Sequence, residues 1–415
     1  MKIIWIFSSG DALPEEKWGH THGIYLTENL IKNGYKVIYW VSSFSHVLKI
    51  QRDYKIVEDN QTENLKIKII KCRSYTGHIS LNRLLSAWDY AIGIFNNIKS
   101  ECKPDCIILG VPHLFLDLLT VIIAKKYKAS LLLDFRDLWP ELFKLALPRG
   151  LRFASGVIFY PFYLMRKITF LSADGLTAVC NTYRDVAFKQ APKLRNKPND
   201  IIYSTGVDIN KMRESFEELN QSKFQNQKNP EEYWVIYAGT LGDNYDIKTL
   251  IRAAEILKYK NEKIKILVAG DGPLKKYVTD AIADRKLSNI EYLGALDRNT
   301  LYKYYFMSDL GLSLYARYST VVIPAKAFDY FSTKLPIINS LPGEFSELLI
   351  EKGVGFNYDA ENPDSLASVI AHALSDNVRL KIMKDKLSTL SNIYDRQEQY
   401  TKYGKIVNSI ITSKK

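Results

Sequence analysis

The 415-residue chain has little cysteine. Its four, Cys72, Cys102, Cys106 and Cys180, form no C-x-x-C pair. A thiol redox or zinc motif of that spacing is excluded, and reduced thiols of a cytoplasm are expected. Long apolar runs are also missing. No stretch reaches the ~18 uninterrupted apolar residues of a membrane span. The run from Cys106 to Ala124 is broken by Pro112, His113 and Asp117, and Gly156 to Met165 holds Pro161. The opening MKIIWIFSSG is too short in apolar core for a signal peptide and reads as a first buried strand. There is no low-complexity tract and no tandem repeat of solenoid period. Acidic residues are in deficit: 45 Asp plus Glu stand against 57 Lys plus Arg, a net charge of +12. That balance favours an anionic partner, whether nucleotide, nucleic acid or acidic lipid surface.

What is present is globular: 47% apolar and 25% charged residues. The length exceeds one ordinary core, so two domains are expected. Residues 1–205 alternate short apolar runs with amphipathic stretches, which predicts a parallel sheet covered by helices. Strands are predicted at KIIWIF, KVIYWVS, KIKIIKC, CIILG, SLLLDF and GLTAVC. Parallel strands buried on both faces read as continuous apolar runs, as these do. Residues 191–232 turn polar and read as a link extended by a solvated segment, with a short strand and a turn at Gly206. The alternation restarts at 233, with strands at WVIYAG, KILVAG, IEYLG, LGLSLY, LPIIN and VGFNY. The fold class is α/β, with domains at 1–205 and 206–392 and an amphipathic tail at 393–415.

The segment from Val322 to Glu347, VIPAKAFDYFSTKLPIINSLPGEFSE, carries the densest chemistry. Pro324 suits the first turn of a helix, where its missing N–H costs nothing. Lys326 and Asp329 lie three apart and share one helical face. They are either a functional pair or a common surface ion pair. LPIIN then reads as a buried strand, PGE as a turn, and FSELLIE as a helix carrying Glu344 and Glu347. Those two acids either contact a ligand or complement the helix dipole. Gly239-Thr240-Leu241-Gly242 and Gly270-Asp271-Gly272-Pro273 each follow a predicted strand, where glycines let backbone approach a phosphate or simply make a turn. In open α/β sheets ligands sit at these carboxyl ends. Trp18-Gly19-His20-Thr21-His22-Gly23 lies between the first strand and first helix. Its two histidines have no cysteine or third histidine nearby, so a glycine loop is preferred to a metal site.

These segments resemble family 4 glycosyltransferases. The donor-site pattern of that family stands here as Pro324, Lys326, Asp329, Tyr330, Pro336, Ile337 and Ile338. PEEKWGHTHGIYLTENLIKNGYKVIYW, KPDCIIL, DFRDLWPE, STGVDINK, YAGTLG, VAGDGPL and YLGALDRNTLYKYYFMSDLGLSL follow the family's order over nearly the whole chain. The resemblance implies two Rossmann-like domains facing a cleft, the GT-B arrangement, with a C-terminal helix crossing back to the first domain. It implies transfer of a sugar from a nucleotide diphosphate, a UDP-sugar, to a hydroxyl acceptor, with retention and no metal or other cofactor. By resemblance the acceptor is a lipid-linked oligosaccharide of a bacterial surface polymer. The partners are then the donor, the acceptor and an anionic membrane surface, with no nucleic acid.

Residue by residue, the resemblance places Asp329 on the ribose and Lys326 on the diphosphate. Gly19, Thr240, Gly242, Gly270 and Gly272 lie along the donor, Leu296 beside the base, and Glu344 or Glu347 near the transferred sugar. The family's first glutamate falls on Val321. Its arginine near Thr240 and lysine near Tyr245 are absent, leaving Arg317 and Lys326 as cations for the diphosphate. Its sugar-contacting histidine is replaced near Arg136. Asp137 and His113 become candidates for acceptor contact or base work, against a capping aspartate and a surface histidine. LPRGLRFASGVIFYPFYLMRKITFL (147–171) mixes aromatics with Arg149, Arg152, Arg166 and Lys167. It suits an anionic membrane surface on the cytoplasmic side or a core helix. Two rivals stand beside the transferase: a nucleotide-sugar epimerase of the same fold, and a non-catalytic partner subunit.

Overall fold

The computed structural model describes residues 1–11, 13, 16, 22–46, 48–52, 56–58, 64–76, 80–203, 206–221, 223–260 and 263–413. The chain divides into two compact units, Met1–Ser204 with Gln399–Lys415, and Thr205–Glu398.

The first unit is built on an eight-stranded sheet. Its order runs Asn199–Ile201, Gly175–Ala178, Ser130–Phe135, Cys106–Val111, Ile3–Phe7, Lys36–Ser42, Leu65–Ile70, Ile56–Glu58. All pairings are parallel except the last, where Ile56–Glu58 runs antiparallel to Leu65–Ile70. Ile4, Ile6, Val37, Tyr39, Ile108 and Leu132 form one side of the core, together with Tyr403, Val407 and Ile410 of the last helix. That helix, Arg396–Ser413, is kept in place by burial of this apolar stripe.

The second unit has a six-stranded parallel sheet. Its order is Ile290–Gly294, Ile264–Ala269, Tyr233–Ala238, Leu310–Ser313, Ile337–Asn339, Gly355–Asn357. Counted within the unit this is 3-2-1-4-5-6, the doubly wound Rossmann order. The order reverses between Tyr233–Ala238 and Leu310–Ser313, and ligands of such sheets bind at that switch point. The strand cores are fully buried, in keeping with their continuous apolar sequences.

The stretch read as a polar link contains a helix, Ile209–Gln221. Ile209, Met212, Ser215 and Leu219 are its buried positions. Its apolar residues are few but correctly spaced, and the partner is the helix Arg298–Met307. Phe216 packs on Phe306 with ring centroids 4.9 Å apart, and Glu218 pairs with Lys303 at 2.9 Å.

The segment 147–171 is neither one helix nor wholly core. It comprises 3-10 turns at Arg149–Ala154, a short helix Ser155–Ile158 and a helix Tyr160–Ser172. Phe153 is 88% exposed and Val157 81%, and Leu164 and Leu171 are also exposed. Arg166 does not belong to that surface. It is buried, bonded to both oxygens of Glu141 at 2.7 Å and to the Trp139 carbonyl oxygen. The guanidinium points inward because its fixed fork of donors finds these acceptors there.

Candidate functional site

The P-A-K segment folds as expected in outline. The helix is Lys326–Ser332, seven residues, with Ala325 as its cap and Pro324 just before. The Pro324 carbonyl accepts the Ala327 N–H at 3.0 Å. Ala327, Phe328, Tyr330 and Phe331 are buried, which fixes the helix against the sheet. Lys326 and Asp329 are half-buried and do not pair with each other, since each meets different neighbours.

Lys326 turns into the switch point of the sheet. Its Nζ is buried and has no hydrogen-bond partner among the described residues. It lies 4.1 Å from the ring centroid of Tyr237, 5.3 Å from that of Tyr245 and 5.6 Å from that of Tyr315. Tyr237 is the last residue but one of the first strand of the unit, Tyr245 follows in the turn, and Tyr315 follows the fourth strand. The three rings come from both sides of the crevice. Tyr237 is itself fixed, its hydroxyl donating to the Thr240 carbonyl at 2.8 Å. Burial pushes the Lys326 amine down to about 7. Ring faces attract an ammonium but do not replace the hydrogen bonds of its lost water.

Asp329 faces the opposite way. Its Oδ1 accepts from Arg298 Nη2 at 2.7 Å and from the Tyr302 hydroxyl at 3.3 Å. Burial pushes its carboxyl up, while the Arg298 charge opposes that rise.

The two glycine turns are packed on each other. A Cβ on Gly270 would stand 1.9 Å from the Gly239 carbonyl oxygen, and one on Gly272 2.4 Å from that of Leu241. Both residues have positive φ, 141° and 153°. The N–H groups of Gly239, Leu241, Gly270 and Gly272 are bonded inside the fold, to Ala269, Asp271, Gly294 and the Asp271 carboxylate. Their glycines answer to turn-on-turn packing, and those four amides are not free to cradle a phosphate. Asp271 caps its own turn and approaches Lys275 at 3.5 Å. Thr240 is exposed and Gly242 half-buried at the same rim.

Arg317 is exposed and turned to the Glu361 carboxylate, 3.9 Å away, and donates to the Ala360 carbonyl at 3.0 Å. Leu296 is half-buried between Ile290–Gly294 and the helix Arg298–Met307. Glu344 and Glu347 stand in the first turn of Glu344–Lys352, behind Gly343 with φ 74°. Gly19 lies outside the described residues, as do Trp18, His20 and Thr21.

In the first unit, His113 and Asp137 follow the ends of neighbouring strands. The His113 ring nitrogen Nε2 shares a hydrogen with Ser9 Oγ at 3.1 Å, and the backbone N–H of His113 donates to Asp117 Oδ1 at 2.8 Å. It is held neutral, pushed down to about 4 by burial and by the Arg83 charge. Asp137 is exposed at the same edge. A buried charge network absent from the sequence reading lies beside them. His22 contacts Asp134 at 2.8 Å and Tyr400 at 2.9 Å, and Arg136 reaches Asp11 at 3.4 Å. The Asp11 carboxylate also accepts from Ser8 and Tyr39, at 2.8 and 2.9 Å. Its cations and hydroxyl donors hold Asp11 below the usual carboxylate range despite burial. The signal was the D-x-R-D step after a strand, but the partners lie up to 125 residues away.

The buried Lys326 amine therefore lies at the point of a doubly wound sheet where ligands bind. Residues 219–389 match the family model for glycosyl transferases group 1. An uncharacterized glycosyltransferase of Methanocaldococcus jannaschii is 28% identical over 150 residues, 35% of this chain and 37% of that protein. The matched part thus spans well under half of that relative. The structure superposes on sucrose-phosphate synthase from Thermosynechococcus elongatus with TM-score 0.70, 14% identity and full coverage of both chains. Anabaena HepE in complex with UDP gives TM-score 0.65 at 14% identity, covering 99% of this chain and 100% of that one. The second unit thus carries the match to group 1 glycosyl transferases, and the chain shares the fold of the solved structures it superposes on.

Proposed function

We propose that the protein moves a hexose from a UDP-sugar to a hydroxyl of a lipid-linked acceptor, with retention and without a bound metal. The observation that carries this reading is the Lys326 amine, buried at the switch point with no anion beside it among the described residues. A diphosphate would supply the missing partner, and the lysine would neutralise it as it leaves. Asp329 would accept a ribose hydroxyl. With the loop arginine and lysine of family 4 absent, Lys326 carries the charge those residues would bring. Retention and the polymer role rest on the resemblance of the P-x-K–acid segment. A UDP donor has further support in the likeness to a structure that holds UDP.

The lipid side rests on the first unit. Phe153, Val157, Tyr160 and Leu171 are exposed, with Lys167 among them. Leu81, Trp88, Ile92 and Phe95 make a second exposed stripe on the helix Leu81–Asn97. No helix among the described residues is long and apolar enough to cross a membrane. These faces with a net charge of +12 suit the surface of an anionic bilayer.

The test is incubation with a panel of nucleotide-sugars, with and without a polyprenyl-diphosphate-linked sugar. Transfer from a UDP-sugar only when acceptor is present supports the proposal. Conversion of donor to an epimer without acceptor refutes it in favour of an epimerase. Failure of every nucleotide to bind makes the chain a non-catalytic relative.

A further inference from the structure

We infer that Tyr237, Tyr245 and Tyr315 are positioning residues for the diphosphate-binding cation, a box that keeps the Lys326 amine poised so that donor binding takes up one proton from solvent. The inference rests on the donor reading above and deepens it.

The geometry has three parts. The amine is enclosed, since Nζ is buried and lacks any acceptor among the described residues. Its walls are ring faces: Tyr237 at 4.1 Å, Tyr245 at 5.3 Å and Tyr315 at 5.6 Å. Tyr245 and Tyr315 also pack on each other, with centroids 5.1 Å apart, which keeps the box shut on that side. The floor is backbone, for a Cβ on Gly239 would come within 3.0 Å of Nζ. A larger residue there would fill the space between the amine and the turn.

The groups that face the amine carry no compensating charge. From the first strand and the turn after it come Tyr237 and Tyr245, and from the segment after the fourth strand Tyr315. Burial holds the Tyr237 and Tyr315 phenols well above their ordinary range, so both stay neutral. On its own helix the nearest acid, Asp329, is paired with Arg298. Enclosure without an acceptor favours the neutral amine, and it titrates at about 7. An arriving diphosphate supplies negative charge and acceptor oxygens, so the bound form is the ammonium. The balance is simple: the neutral amine and one proton from buffer give the ammonium, with no other bond changed. An isolated lysine held in water would already be charged and would take up none.

The experiment is calorimetric titration of UDP into the full chain at pH 8, in buffers of different ionisation enthalpy. UDP is fully ionised there, since a terminal phosphate loses its last proton near pH 6. The wild type should take up about 0.9 proton per UDP, the neutral fraction for an amine titrating at about 7. UDP affinity should fall up to about tenfold from pH 8 to pH 9 by the same linkage. Lys326→Arg stays charged and should take up none, as should Lys326→Met, which binds more weakly. Tyr245→Phe keeps the ring and should behave as wild type. Tyr245→Leu opens one wall, lets water reach the amine, and should cut the uptake by at least half. A side chain that only props up the fold would not move proton stoichiometry. UDP binding to the wild type without proton uptake overturns the inference while leaving the donor reading intact. Uptake by Lys326→Arg equal to wild type also overturns it. No binding of UDP to the wild type overturns the donor reading, and the inference with it.

Discussion

Replacing Lys326 by Met should stabilise the second unit while weakening donor binding. Holding the amine at about 7 instead of its ordinary 10.5 makes the folded state reject a proton that the unfolded chain binds. At 1.36 kcal/mol for each power of ten, the penalty at pH 7 is about 4 kcal/mol. That shift is the net of burial and of any attraction by the rings, so about 4 kcal/mol is the cost of the lysine at pH 7. Met fills similar volume without a charge and adapts to an irregular apolar pocket. The variant should therefore unfold several degrees higher at pH 7, at about 2–4 °C for each kcal/mol in a domain of this size. The sign with pH follows from proton counting. Between about 7 and 10.5 the unfolded wild type binds more protons than the folded one, so wild-type stability rises with pH. The Met variant lacks that rise, and its advantage should shrink to near zero by pH 10.5. Urea unfolding at several pH values measures the difference directly, since all other titrations cancel between the two proteins. A Met variant destabilised by more than about 1 kcal/mol at pH 7, beyond the ~0.5 kcal/mol of an ordinary neutral change, would refute the reasoning. So would identical pH dependence of the two proteins.

Three other outcomes are expected. Asp329→Ala should weaken UDP binding by about 1.5–3 kcal/mol, roughly 12- to 150-fold, and Asp329→Asn by less. Calorimetry that finds unchanged affinity in a folded variant removes aspartate from the ribose and leaves it a partner of Arg298 alone. Gly270→Ala should cost at least about 3 kcal/mol, because its Cβ meets the Gly239 carbonyl and its φ is positive. Gly10→Ala, with open space around it, should be neutral in the same melt. In the first unit, Phe153→Ser with Val157→Ser should reduce pelleting with anionic vesicles and leave UDP binding alone. Equal pelleting of variant and wild type would take those side chains off the membrane.

The fold was legible because buried parallel strands leave long apolar runs. Every strand of the second unit, from Tyr233–Ala238 to Gly355–Asn357, lies on a run visible in the sequence. What escaped was short or diluted. Ile56–Glu58 is three residues on an edge, paired antiparallel. The helix Ile209–Gln221 is 13 residues long with four buried positions, and its polar remainder resembles a linker. Its spacing is helical, but only the facing helix Arg298–Met307 gives that stripe something to cover.

The site divides along a different line. Sequence spacing places Lys326 and Asp329 on one short helix beside a crevice, because three residues apart is a local relation. It says nothing of what each side chain meets, since that depends on elements far away in the chain. Arg298 lies 31 residues before Asp329 and takes the carboxylate. Tyr237, Tyr245 and Tyr315 come from two other strand ends and enclose the lysine. None of the three stands out in a chain with 27 tyrosines. The glycines were read for ligand approach, yet Gly270 and Gly272 are fixed by a neighbouring turn that only the folded sheet brings within 3 Å. With those amides bonded inward, the positive charge a diphosphate needs falls back on one lysine. An aromatic box then has a physical purpose, to hold that amine in place without an acid that would compete with the ligand for it.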